Sequence, residues 1–335
     1  MFMRKIWAPV LVIILIIAAY VRINTPGRDV EGFRSFTRPL MGTYVTVQVP
    51  DTEEAELAAE KALGRIREVS EKFSIYHQES PVYAFNNYRE PLTDPEITAL
   101  TRKAVEISRE TGGAFDITVY HLVRLWDFSS EDPKVPDESR ILSALEKTGY
   151  ARVVIEEGEV KPYGEYGLDF GGIAKGYAVD EAVSVLKSEG VRDALVDAGG
   201  DIYVMGRRGG RPWRVGIRDP RDKSLSAGVV ELSNKAVVTS GGYENYFIYE
   251  GERYHHILDP RTGYPVTGPE SVTVTAPDAA TADSWATALF VMGQEEGLKS
   301  AELQDGIEAL FITGDGDMVK TEGFRVNPPR GPVRE

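Results

Sequence analysis

The 335-residue chain contains no cysteine, which excludes disulfides, thiolate metal sites, a cysteine nucleophile and a lipidated N-terminal cysteine. Histidine is nearly as scarce. The four present, His77, His121, His255 and His256, do not have the i, i+4 spacing of a helical zinc site. Positive charge is the third shortage: 38 Lys and Arg stand against 52 Asp and Glu, a net charge of -14. No basic stripe interrupts that balance, so the field of the chain repels a phosphate backbone and nucleic acid is not an expected partner. The glycine patterns of common nucleotide folds are missing too. No G-x-G-x-x-G follows a first strand, and Gly171 to Gly176 resembles a phosphate loop only until Tyr177 occupies the lysine position. Ser240, in Thr239-Ser240-Gly241-Gly242, lacks the glycine two residues earlier that a nucleophile elbow needs. No internal repeat is visible.

What is present begins with Arg4 and Lys5 ahead of an apolar run from Ile6 to Val21, broken only by Pro9 and Tyr20. This is a signal-type segment. It lacks a clear small-x-small cleavage site, because Ala18-Ala19 is followed by Tyr20, and so reads as an uncleaved anchor rather than a removed signal. The basic flank keeps the N-terminus in the cytoplasm and sends the body outside. Residues 1–25 are therefore assigned to the signal or anchor, 26–38 to a linker, 39–325 to one domain and 326–335 to a tail. Within the body, Tyr44 to Val49 alternates as a strand. A helix is predicted from Thr52 to Lys72, with Ala55, Leu57, Ala58, Ala62, Leu63, Ile66 and Val69 as its apolar stripe, and another from Pro95 to Thr111. Short strands follow at 194–196, 202–205, 213–217, 228–232, 246–249 and 272–275. Helices return at 281–292 and 295–303, and a strand pair at 309–313 and 318–321 turns through Gly314-Asp315-Gly316. The fold class is mixed α+β, without regular βαβ alternation.

Three constellations carry chemistry. In Leu168-Asp169-Phe170-Gly171-Gly172-Ile173-Ala174-Lys175-Gly176, a helix opens with free backbone N–H groups and a lysine one turn in, which suits a phosphate or pyrophosphate. In the late helix, Asp283 and Thr287 are four apart and lie one above the other on the same face. A carboxylate in apolar surroundings fits either a hard cation with oxygen ligands or a simple helix-start role near Thr281. In Tyr254-His255-His256-Ile257-Leu258-Asp259-Pro260-Arg261-Thr262-Gly263, a histidine pair precedes a rigid Asp-Pro turn, as a functional group or as half-buried strand packing. Thr111 to Asp116 reads equally as a helix stop.

Together with Met41-Gly42-Thr43, Phe73-Ser74-Ile75-Tyr76, Phe85-Asn86 and Asp197-Ala198-Gly199-Gly200, these stretches resemble the ApbE family of FAD:protein FMN transferases, in family order over about Met41 to Thr313. The resemblance implies a single ApbE-like, T-fold-like catalytic domain, FAD as substrate and Mg2+ as cofactor. It implies FAD contacts at Met41, Tyr76, Ala114, Phe115, Asp116, Asp169, Lys175 and Ile257, and a metal site of Gly172, Asp283, Thr287 and the backbone of Ala286. It also implies an acceptor flavoprotein of a membrane-linked electron-transfer system, at the inner membrane or exported, with the catalytic body outside the cytoplasm. His256 is the candidate general base for the acceptor hydroxyl. Two other readings fit the same residues: an Mg2+-dependent FAD pyrophosphatase and a non-catalytic FAD-binding protein. The Asp197–Asp201 turn is expected to support the pocket structurally.

Overall fold

The computed structural model describes residues 32–222 and 224–328, with a two-residue strand, β1 (Gly27–Arg28), before them. The anchor or signal expected in residues 1–25 lies outside the described residues, and among those described no helix is long and apolar enough to cross a membrane. Strands β2 (Phe33–Leu40) and β3 (Thr43–Pro50) pair along their whole length. Residues 33–38, expected in a linker, are thus sheet: Phe33 and Phe36 are buried and hold that strand in the core. Helices α1 (Glu53–Lys72), α2 (Pro81–Tyr88), α3 (Pro95–Glu110), α4 (Tyr120–Trp126) and α5 (Glu138–Leu145) follow. Thr52 caps α1 by accepting from Ala55 N–H, and Asp94 caps α3 by accepting from Glu96 and Ile97 N–H. The small hairpin β4 (Val154–Glu156) and β5 (Glu159–Lys161) then leads to helix α6 (Ala174–Ser188).

Beyond α6 come β6 (Ala194–Ala198), β7 (Asp201–Met205), β8 (Trp213–Arg218), β9 (Ser226–Leu232), β10 (Lys235–Gly241), β11 (Tyr246–Tyr249), β12 (Glu252–His255) and β13 (Ser271–Ala276). Helix α7 (Ala279–Glu302), β14 (Glu308–Ile312) and β15 (Met318–Lys320) complete the order. Gly293 breaks α7, with φ 76° and ψ 179°, where the sequence ends one helical stretch and begins the next. Nine strands form one sheet in the order β1-β2-β3-β6-β7-β10-β13-β14-β15, each pair antiparallel.

Both sheet faces are covered, and strand alternation assigns each side chain to one layer. Ala236, Val238, Val272 and Val274 join α1, α6 and α7 in the larger core, whereas Val237, Val204 and Leu310 pack under the β8–β9 hairpin with Trp213. In α1 the buried stripe is Ala55, Ala58, Ala59, Ala62, Leu63, Ile66 and Val69; Leu57, expected in it, is 61% exposed. The expected tail also begins too early, since Val229 and Asn327 exchange backbone hydrogen bonds and extend the packed body past residue 325. A third cluster joins α4 and α5 to the hairpin of β11 and β12 through Trp126, Phe247 and Leu258. The mixed α+β class read from the pattern is the architecture found.

Candidate active site

The segment before α6 is fixed from two sides. Asn86 of α2 donates from Nδ2 to Leu168 O at 2.8 Å and accepts at Oδ1 from Leu168 N–H at 2.7 Å, the exchange a neighbouring strand would provide. Asp169 N–H donates to Ile117 O at 2.7 Å, and its carboxylate accepts from Gly171 N–H at 2.7 Å. The N–H groups of Ile173 and Ala174 both reach Phe170 O. Most of the N–H run expected to be free for an anion is therefore already engaged, and Lys175 supplies the positive charge at this helix start.

Lys175 Nζ lies 2.7 Å from Asp201 Oδ2, and the Asp201 side chain is 2% exposed. Burial disfavours the ammonium, but the carboxylates of Asp201 and Asp283 outweigh it and hold the Lys175 pKa above its ordinary value. Asp283, 3% exposed on α7, accepts from Gly176 N–H at 3.1 Å and lies close enough to Asp201 for the two charges to interact. Burial and then the Asp201 charge drive its pKa well above the carboxylate range, against the pull of Lys175. Two buried acids facing one lysine leave negative charge to be met by a proton or a cation. The close approach that builds this cluster depends on Gly176, where a side chain would overlap the Ala279 backbone.

Gly172 brings in the next two groups. A methyl group there would lie 3.3 Å from Thr287 Oγ1 and 3.2 Å from the Phe115 ring. Backbone of Gly172 and hydroxyl of Thr287 thus meet, one helical turn along α7 from Asp283, while Ala286, fully buried, can offer only its backbone. Asp116 serves a different purpose, since Oδ1 accepts from Thr118 N–H at 2.7 Å and Thr118 Oγ1 at 2.6 Å, and Oδ2 from Tyr150 N–H at 2.6 Å. Its carboxylate holds the 113–118 loop in shape, and burial raises its pKa. Ala114 and Ile257 are buried core residues that can form only walls.

The histidine pair divides. His255 is buried against Phe290 at 5.4 Å, and burial pushes its pKa down to about 4. His256 keeps solvent access, with Nδ1 3.2 Å from Asn245 O and its own N–H donating to the same carbonyl at 3.0 Å. Enough protein surrounds the ring for burial to lower its pKa, and the Lys175 charge lowers it further, against the Asn245 contact. Tyr76, 61% exposed, has Arg124 5.7 Å from its ring centroid; burial and then Asp169 raise its pKa, which puts the phenol on the Asp169 side. Met41 adopts φ 53° in the β2–β3 turn, and nearby Thr43 presses against Gly199, bringing that turn beside the Asp197–Asp201 turn.

Comparison with known proteins identifies the family. The model of the ApbE family matches residues 41–311. The chain belongs to the ApbE family. It is 31% identical over 300 residues to the FAD:protein FMN transferase of Klebsiella pneumoniae (strain 342), covering 87% of this chain and 93% of the relative. With the FAD:protein FMN transferase of Vibrio cholerae it shares 35% identity over 292 residues, 83% of this chain and 87% of the other. Its structure superposes on the ApbE protein of Thermotoga maritima with a TM-score of 0.81 at 36% identity, covering 87% and 97% of the two chains. For the flavin transferase ApbE from Vibrio cholerae the TM-score is 0.76 at 31% identity, over 87% and 98%.

Within this ApbE-family site, Asp201 is the group that sequence reasoning missed. It follows Gly199-Gly200 and reads as turn chemistry, yet the β6–β7 turn delivers it to Lys175 and Asp283. Several turns of the chain carry a carboxylate, so the signal in the sequence is weak; only the pairing of β6 with β7 shows that this one points inward. Asn245 was missed as well, since it sits in an irregular link between β10 and β11.

Proposed function

We propose that the chain transfers the FMN moiety of FAD to a serine or threonine hydroxyl of a target flavoprotein. The observation that carries this reading is the convergence of Lys175, Asp201, Asp283, Thr287 and Gly172 at the start of α6, with solvent-accessible His256 near enough to feel the Lys175 charge. In the reaction the acceptor oxygen forms a bond to the FMN-side phosphorus, the bond from that phosphorus to the bridging oxygen breaks, and AMP leaves. Lys175 binds the pyrophosphate and offsets its charge. His256, kept neutral by its surroundings, accepts the hydroxyl proton at Nε2 while Asn245 O orients Nδ1. Tyr76, Asp169, Met41, Phe115, Ala114 and Ile257 form the rest of the nucleotide site. Asp116 acts from behind by fixing the loop of Ala114 and Phe115.

The donor set fits Mg2+: a carboxylate, a hydroxyl and backbone carbonyls are all hard oxygens, and burial together with the Asp201 charge raises the Asp283 pKa, a repulsion that a cation relieves. Asp283, Thr287 and the carbonyls of Gly172 and Ala286 would hold it. Bound there, the ion supplies charge neutralisation to the phosphates. Among the described residues there is no cluster of three His, Asp or Glu side chains suited to a metal, so hydroxyl and carbonyl ligands are required. The catalytic body works on the outer face of a membrane, as the basic flank of the N-terminal apolar run directs.

Incubation with FAD, Mg2+ and an apo-flavoprotein acceptor, followed by mass spectrometry of the acceptor, tests the assignment. Asp283→Ala is expected to lower FMN transfer by roughly 100-fold or more, the scale for removing one electrostatic stabiliser of the transition state. Transfer at the wild-type rate would refute the metal and phosphate roles of this cluster.

A further inference from the structure

The catalytic groups Met41 and Asp201 stand at one end of the nine-stranded sheet, in the β2–β3 and β6–β7 turns. The same strands bring a different chemistry to the opposite end. Phe33 at the start of β2 and Pro50 at the end of β3 line an open depression there, together with Arg192 ahead of β6 and Arg207 after β7. Asp201 and Gly206 mark the two ends of β7, about 17 Å apart at the usual rise.

The overall balance reads as free of a basic stripe, but no Asp or Glu lies between Asp201 and Asp219, whereas Arg207, Arg208, Arg211, Arg214 and Arg218 do. The fold fixes the first three on a rigid loop. Arg208 and Arg211 exchange backbone hydrogen bonds at 2.8 and 3.1 Å around Gly209 and Gly210, whose φ values of 56° and 80° suit glycine. Asp193 Oδ1 accepts from Arg207 N–H at 2.6 Å, and Asn234 Oδ1 from Gly206 N–H at 2.8 Å, which ties the loop to β6 and to the β9–β10 turn. Asp193 is the one carboxylate among the described lining residues. Asp51, next to Pro50, is met by Arg34 at 2.6 Å. Arg192, Arg207 and Arg211 are exposed, and among the described residues none of them forms an ion pair.

The register of β1 relates this end to the membrane. Gly27 stands opposite Ser35, two residues from Phe33 and five from Leu40 at the catalytic turn. Those separations are about 7 Å and about 17 Å along the strand. The apolar run ends at Val21, six residues before Gly27, a connection that reaches at most about 20 Å. A bilayer holding that run meets the basic end with slack in the connection, whereas the catalytic turn lies at nearly its full reach.

We infer that the depression beside the β7–β8 loop rests on the bilayer surface, where Arg192, Arg207 and Arg211 bind the phosphodiester headgroups of anionic phospholipid. The inference rests on the anchor reading of the N-terminal run. Guanidinium groups match phosphate oxygens in both charge and geometry, and unpaired ones have no internal partner to give up. Seated this way, the body turns its catalytic end away from the bilayer, toward an acceptor domain that projects from it.

The cysteine-free full-length chain carries a bimane probe at Ser188→Cys, exposed at the end of α6 shortly before Arg192, or at Tyr44→Cys, 60% exposed beside the catalytic turn. Each is placed in nanodiscs that contain a headgroup-nitroxide lipid, in phosphatidylcholine alone or with phosphatidylglycerol. The nitroxide is expected to quench the Ser188→Cys probe strongly in phosphatidylglycerol discs and to leave the Tyr44→Cys probe bright. Arg192→Gln, Arg207→Gln and Arg211→Gln combined lose the phosphatidylglycerol-dependent quenching, each arginine being worth roughly fivefold in contact with an anionic surface. Melting temperature and FAD affinity stay at wild-type values. Stronger quenching of the Tyr44→Cys probe overturns the inference, because the catalytic end then lies on the bilayer. So does equal quenching of the Ser188→Cys probe in both lipids, or none in either. Calorimetric binding of inorganic phosphate in phosphatidylcholine discs, lost in the combined variant, would assign the depression to a soluble anion, and a loss of FAD affinity would assign it to the nucleotide; both overturn it. Failure of the wild-type chain to enter either disc would instead refute the anchor reading.

Discussion

His255 and His256 are adjacent in sequence and opposite in physical state. His255 lies in the core beside Phe290, with Gly242 so close that the ring fills the space a side chain there would need, and Ile257 N–H donates to its Nδ1 at 3.3 Å. Burial lowers its pKa from the ordinary 6.5 to about 4. A histidine that is neutral when folded and readily protonated when unfolded makes the unfolded state bind more protons between those values. Stability is therefore complete above about pH 6.5 and falls as pH drops toward about 4, by on the order of 3 kcal/mol. His255→Gln, which retains an acceptor but cannot titrate, is expected to flatten this part of the pH profile in urea unfolding measured from pH 7 to 4. An unaltered slope would show that other groups produce it. His256 is open to solvent instead, so His256→Gln is the substitution that tests the proposed general base. The sequence marks the pair without saying which member turns outward, because that depends on the register of β12 against β11 and on what packs behind each ring.

At the scale of elements, the site is an encounter of α6 with α7 across a single glycine. Asp180 of α6 accepts from Ala279 and Ala280 N–H at 2.7 and 2.9 Å, so one helix caps the start of the other, and Gly176 N–H reaches back to Asp283. Gly176→Ala would drive a methyl into the Ala279 carbonyl. Overpacking of this kind costs about 1–3 kcal/mol, and here it also displaces Asp283 from Gly172 and Lys175. A lower urea midpoint together with weakened FAD quenching is expected; a variant with wild-type stability and affinity would deny that this contact positions the site. Helices α1 and α3 were legible because long apolar periods and caps at Thr52 and Asp94 agree. The late helix was legible down to its interruption, since Gly293 separates two periodic stretches. By contrast β10 reads Lys-Ala-Val-Val-Thr-Ser-Gly: its residues alternate between two buried layers, so no polar face marks it as a strand, and its Ser-Gly end imitates a turn. Helices α2, α4 and α5 are 7 or 8 residues long, too short for a period to declare itself. Asp283 and Thr287 could be paired from spacing alone, whereas Asp201 and Lys175 are 26 residues apart and meet only because β6 and β7 return the chain to the mouth of α6.

For the whole molecule, the absence of cysteine bears on where the protein works. A body that needs no disulfide folds without an oxidant, so correct folding is uninformative about compartment. The orientation argument rests on Arg4 and Lys5 ahead of the Ile6–Val21 run, because basic residues beside an apolar segment stay in the cytoplasm. The strongly acidic body does not oppose this, since Asp and Glu contribute little to the rule. The same lack of cysteine makes the test clean: one introduced thiol is the only one in the chain. Leu303, at the end of α7, is 83% exposed and far along the sequence from the site residues, so Leu303→Cys provides a reactive thiol on the body. In intact spheroplasts a membrane-impermeant maleimide is expected to label Leu303→Cys fully, while Phe2→Cys reacts only after lysis. The reverse pattern would put the catalytic body, and with it the acceptor, in the cytoplasm.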